Sequence, residues 1–162
     1  DLGIEQAYMV KEKLSNIVYD CIYSSPLERA RETAEICNYL NKEIIYDNRL
    51  EEINFGAFEG LTFKEISKKF PNEVKEMERN WKTFNYITGE SPKEMFERAV
   101  SFLETLDYTK DNLVISHWGI INCIISYFVS GTLDSYWKFK VDNCSVVIFE
   151  GDFNFSYLTK LY

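Results

Sequence analysis

The stretch "NLVISHWGIINCIISYFV", residues 112–129, contains the chain's only histidine, His117. Its opening residues are apolar and β-branched and read as a short buried strand. The run breaks at Trp118-Gly119, where glycine permits a tight turn, and a helix follows over 120–129. The stretch is therefore a strand–turn–helix unit with a histidine at the turn.

Working outward, the same alternation recurs. "IVYDCIYSS" (17–25) reads as a strand ending in Ser-Ser-Pro. Serine before proline is a helix-start signal, and Pro26 suits the first helical position. The helix "PLERARETAEICNYL" (26–40) carries Leu27, Ala30, Ala34, Cys37 and Leu40 on one stripe, and "EIIYD" (43–47) is another strand. Residues 4–15 keep helical spacing. "RLEEINFGAFEGLTFKEI" (49–66) is a loop leading into a helix, and 71–85 reads as a charged helix anchored by Trp81 and Phe84. "GESPKEMFERAVSFLETL" (89–106) is a second Ser-Pro helix start with a stripe of Met95, Ala99, Phe102 and Leu106. "CSVVIFE" and "FSYLTKL" close the chain as a hairpin turning near Asp152 and Asn154. The pattern predicts one α/β domain over residues 1–162, with a mainly parallel sheet and an antiparallel edge.

The 162 residues are enough to bury a core, and 46% hydrophobic with 27% charged is a globular composition. A net charge of -8 argues against nucleic acid and against an anionic membrane surface as partners. It also means that an anionic substrate needs a local basic pocket. Cys21, Cys37, Cys123 and Cys144 lack metal-type spacing and read as reduced, buried thiols of a cytoplasmic protein. The most apolar stretch, Leu113 to Val129, is interrupted by polar residues and makes a poor membrane span.

In open α/β sheets ligands sit beyond the carboxyl ends of strands, beside helix N-termini. Two strand ends carry suitable residues: "SSPLERA" places Arg29 in the first turn of its helix, and "SHWG" places His117 at a turn. A guanidinium binds two phosphate oxygens at once and a histidine donates to a third. Taken singly, each has a plainer reading: a structural histidine, a solvated arginine, a surface carboxylate for Glu52. Cys123, six residues after His117 across a turn, is not placed to pair with it.

In order along the chain, these segments resemble the histidine phosphatase superfamily, with its phosphoglycerate-mutase-like fold. "YSSPLERARETAE" resembles its serine-proline-arginine segment, "RLEEINFGAFEG" its glutamate loop, and "VISHWGII" its second-histidine segment; "GES" (89–91) recurs there too. The resemblance implies a three-layer α/β/α sandwich. It implies that Arg29 binds phosphate, that Glu52 is the proton donor, and that His117 contacts the transferred phosphoryl group. It implies no metal and no cofactor, with a phosphorylated small molecule as substrate. The family's first strand ends in an arginine-histidine-glycine motif whose histidine is the nucleophile. That motif does not occur in this sequence, which begins at Asp1 without methionine. The expectation is an N-terminally incomplete domain, inactive as it stands, with a gap in the sheet beside "CIYSS" or "LVISH".

The region "EISKKFPNEVKEMERNWKTFNYITGES" is short and balanced in charge, which favours a phosphatase over a phosphoglycerate mutase. The run "INFGAFEGLTFKEI", then "FPNEV", a tryptophan and "GES", looks most like alpha-ribazole phosphatases of cobalamin biosynthesis. Broad-specificity sugar-phosphate phosphatases share much of it. A non-catalytic domain that binds a phosphorylated ligand or a protein is the reading from another class; retention of Glu52 as a proton donor weighs against it.

Overall fold

The computed structural model describes residues 2–162; Asp1, the first residue of the domain read over 1–162, lies outside them. Helix α1 (Leu2–Leu14) leads into strand β1 (Cys21–Ser24), helix α2 (Glu28–Cys37) and strand β2 (Ile44–Tyr46). After two 3₁₀ turns come helices α3 (Phe63–Lys69), α4 (Pro71–Arg79) and α5 (Pro92–Leu103). Strand β3 (Asn112–Ile115) then enters helix α6 (Trp118–Ser130), and strands β4 (Val147–Gly151) and β5 (Ser156–Leu161) close the chain.

The three early strands form a parallel sheet in the order β2-β1-β3, with Ile22 opposite both Ile44 and Leu113. Alternation along β1 sends neighbouring side chains to opposite faces. Ile22 packs with Tyr19 and Ala34 on the α1/α2 side. Tyr23 meets Phe102 of α5 edge-on, with ring centroids 5.4 Å apart. On that second face the expected stripe of α5 is buried: Met95, Ala99 and Phe102 join Leu50, Ile120 and Cys123 in the largest core cluster. The sheet is thus the middle layer between two helical layers, as expected for this α/β class.

Beta strands β4 and β5 pair antiparallel with each other, in a ladder separate from the parallel sheet. Phe149 and Phe153 seat the hairpin on Phe128 and Tyr127 of α6. Among the described residues β3 has a ladder partner on its β1 side only, which makes it an edge strand of the parallel sheet. All four β3 residues are correspondingly half-buried rather than buried.

Three boundaries differ from the sequence reading. Strand β1 starts at Cys21 instead of Ile17, because Ile17 still bonds back to Leu14 and the Tyr19 hydroxyl donates to the Cys37 carbonyl. Helix α2 starts at Glu28 instead of Pro26: the chain bends at Pro26 and Leu27, and Leu27 is still extended, with its N–H donating to Ser25 Oγ. Helix α4 stops at Arg79, where Asn80 caps it. Phe84 turns inward against Phe58, while Trp81 turns toward Tyr136 and Trp137, so the aromatic anchors end the helix instead of extending it. The second Ser-Pro start is as read, with a full capping box between Ser91 and Glu94.

Candidate active site

The parallel strands deliver their carboxyl ends to one edge, and His117 sits there as the cap residue of α6. Its ring is nearly buried at 8% exposure. Arg29 Nε lies 3.2 Å from His117 Nδ1, and His117 Nε2 lies 2.8 Å from Ser25 Oγ. A guanidinium is donor-only, so Nδ1 must accept and the ring proton must be on Nε2, donating to Ser25. The imidazole is held neutral in one tautomer.

Burial, then the positive charges of Arg29 and Arg98, push the His117 pKa down from 6.5 to about 4. Protonating Nδ1 would set two donors against each other. The folded state therefore resists a proton that the unfolded chain accepts. The resulting stability is fully present above pH 6.5 and is lost as pH falls toward 4, up to about 3 kcal/mol. Denaturant melts of the full-length protein and of its His117→Gln variant between pH 7.5 and 4 measure this. The wild-type curve should fall more steeply across that window, and parallel curves would show that His117 accepts the proton in the folded state.

Arg29 differs from the half-buried arginines Arg49 and Arg98. Arg49 is paired with Asp47 at 2.6 Å and Arg98 with Glu90 at 2.7 Å. Arg29 has no carboxylate partner among the described residues and is an exposed residue beside His117. In a chain of net charge -8 this is the local basic point an anion requires.

Glu52 reaches the same turn from the loop after β2. Its Oε1 accepts from its neighbour's N–H, Ile53, at 2.9 Å, and its Oε2 from Gly119 at 3.2 Å, in the first turn of α6. A Cβ on Gly119 would lie 2.2 Å from Glu52 Oε1 and 3.0 Å from Met95 Sδ. Glycine at 119 thus makes room for the carboxylate.

The glutamate loop is clamped from behind. Arg98 donates to the Arg49 carbonyl at 2.7 Å and to the Glu52 carbonyl at 3.3 Å while paired with Glu90. Ser116 Oγ donates to the Leu50 carbonyl at 2.7 Å, tying the loop to the end of β3. Gly56, at φ +49°, and Gly89 pack backbone to backbone, since a Cβ on either would sit 2.2 Å from a carbonyl oxygen of the facing loop. Ile87 and Thr88 are both left-handed, at φ 49° and 66°, a costly conformation for β-branched residues. That strain is tolerated where the "GES" segment braces the loop.

The structure brings Arg29, His117 and Glu52 to one turn. Cys123 is fully buried in the core, its thiol pKa pushed up by burial, and does not meet His117. Sequence reasoning missed Ser25 and Arg98. Ser25 had a signal, since it precedes the proline that led to Arg29. Arg98 had none, because an arginine inside an amphipathic helix reads as solvated.

Compared with families of known proteins, residues 1–161 match the Histidine phosphatase superfamily (branch 1). The chain belongs to this superfamily. Phosphoserine phosphatase 1 of Hydrogenobacter thermophilus is 30% identical over 147 residues, 88% of this chain and 70% of that protein. Among solved structures, the alpha-ribazole phosphatase from Shigella flexneri superposes with a TM-score of 0.89 at 23% identity, covering 98% of this chain and 80% of that one. A phosphoserine phosphatase variant from Entamoeba histolytica, solved with phosphoserine, superposes with a TM-score of 0.81 at 27% identity, with the same coverages. The superfamily and the phosphoglycerate-mutase-like α/β fold read from the sequence are therefore those of the molecule.

Proposed function

We propose that this chain carries the phosphate clamp and proton donor of a phosphomonoester hydrolase that works through a phosphohistidine. The observation that carries the reading is the Arg29 guanidinium, without a carboxylate partner among the described residues, bonded to a neutral histidine beside Glu52. Charge in phosphoryl transfer spreads over the equatorial oxygens, so positioning and electrostatic stabilisation supply most of the catalysis.

In this mechanism an imidazole nitrogen from outside residues 1–162 attacks phosphorus in line, forming a P–N bond as the P–O bond to the alcohol breaks. Protonated Glu52 gives its proton to the departing oxygen. Arg29 and His117 hold the non-bridging oxygens. The bound dianion takes over as acceptor of the Arg29 Nε–H and offsets the nearby cations. Nδ1 of His117, released from Arg29, then takes a proton from solvent and donates it to a phosphoryl oxygen, while Nε2–H stays with Ser25. Glu52 then removes a proton from water, whose oxygen attacks phosphorus and releases phosphate and the free histidine.

The substrate we propose is alpha-ribazole 5′-phosphate of cobalamin biosynthesis, supported by the run from "INFGAFEG" to "GES". Phosphoserine is the second reading, favoured by the name of the 30% identical relative. The four cysteines are free thiols, which suits a reducing cytoplasm. Among the described residues no helix is long and apolar enough to cross a membrane.

Rapid acid or base quench of the full-length protein with labelled substrate tests the chemistry. An acid-labile, base-stable phosphoenzyme should form in the presence of chelator, and turnover should be faster on alpha-ribazole 5′-phosphate than on phosphoserine. Phosphate release without a phosphoenzyme, or release abolished by chelator, rules this mechanism out.

A further inference from the structure

All three tryptophans of the chain meet beside this turn, although Trp81, Trp118 and Trp137 are far apart in sequence. Trp118 directly follows His117. Its ring centroid lies 5.4 Å from Trp137 and 5.3 Å from Tyr136, and Trp81 is 5.7 Å from Trp137. Tyr136 is buried beneath them at 4% exposure, yet Trp118 and Trp137 are 38% and 64% exposed. An aromatic cluster that served only the core would bury these faces; here the largest apolar rings of the molecule are open to water.

The cluster borders the proton donor. Burial raises the Tyr136 pKa, and the charge of Glu52 is near enough to add to the effect. Glu52 in turn contacts Gly119, the residue after Trp118. The rings are thus the apolar surface adjoining the Glu52 side of the turn. The surface offers little for a second anion. Lys82, next to Trp81, is paired with Asp134, and Lys138, next to Trp137, faces the same carboxylate.

We infer that Trp118 and Trp137 form a stacking site for a flat, uncharged heteroaromatic ring on the leaving group, and so select the substrate. This rests on the phosphatase reading above and deepens it by assigning selection to residues outside the phosphate clamp. Open tryptophan faces hold planar rings without demanding a hydrogen-bond pattern. A serine or glycerol leaving group gains nothing from them.

The test compares benzimidazole riboside 5′-phosphate with ribose 5-phosphate on the full-length protein, since both leave as the same primary alcohol. The expected kcat/KM ratio favours the ring-bearing ester by about ten-fold or more. It should fall toward one in Trp118→Leu and drop several-fold in Trp137→Leu, whose exposure keeps it foldable. Phe155→Leu, on the β4–β5 hairpin, should keep the wild-type ratio. No wild-type preference, or a preference retained in both tryptophan variants, overturns the stacking site while leaving the phosphatase reading intact. Fluorescence titration with unphosphorylated benzimidazole riboside decides the point without catalysis. Saturable quenching that weakens in Trp118→Leu upholds the site even if neither ester is hydrolysed, and absence of quenching overturns it.

Discussion

A polypeptide of residues 1–162 is expected to release no phosphate from p-nitrophenyl phosphate above background. In-line attack needs a free imidazole nitrogen, and the one histidine present is committed on both sides, to Arg29 and to Ser25. A chain continuing upstream with a strand that carries another histidine should be active without added metal. That strand is expected at the open edge of β3, whose only ladder partner among the described residues is β1. A parallel strand there would bring its carboxyl end level with Ile115 and His117. The same edge predicts a stability loss. Each buried, unpaired backbone group costs about 1–3 kcal/mol, against about 5–15 kcal/mol for a whole domain. Residues 1–162 alone should therefore melt without a sharp transition or associate through β3, while the extended chain melts cooperatively. Calorimetry and light scattering on both chains, beside the activity assay, settle the matter. Turnover by residues 1–162 would show that the nucleophile is not a second histidine.

Glu52→Gln in the active protein is expected to lower kcat/KM on an alkyl phosphomonoester by about 10²–10⁴-fold. Glutamine keeps the shape, and its single amide oxygen can still accept from Ile53 or from Gly119, so one tie to the loop remains, but it has no proton to give an alkoxide. p-Nitrophenolate is a good leaving group and needs little protonation, so the loss on p-nitrophenyl phosphate should be much smaller. Steady-state kinetics on both substrates distinguish a proton donor from a loop brace. Equal losses on the two would mean that Glu52 acts only by holding the backbone between Leu50 and Ile53.

The α/β alternation was legible from periodicity because each strand and helix buries one face, and burial leaves its mark at fixed spacing. The capping box at Ser91 was readable for a similar reason: cap and helix lie within one turn. Arg29, Glu52 and His117 were legible as a set only through the order of their motifs. Nothing local in "LEEINFG" separates a proton donor from a surface carboxylate. The assembly of the site was a tertiary matter. Residues 88 apart share the Arg29–His117 bond, and residues 67 apart share the Glu52–Gly119 bond. Arg98 became a clamp only when folding placed two carbonyls of the glutamate loop over its guanidinium. Trp81 read as a core anchor because size and apolarity were all the sequence shows, and nothing in the sequence brought Trp118 and Trp137 to it. Where each ring stops being covered depends on how α4, α6 and the turn after α6 meet, and that is set by packing across the whole chain.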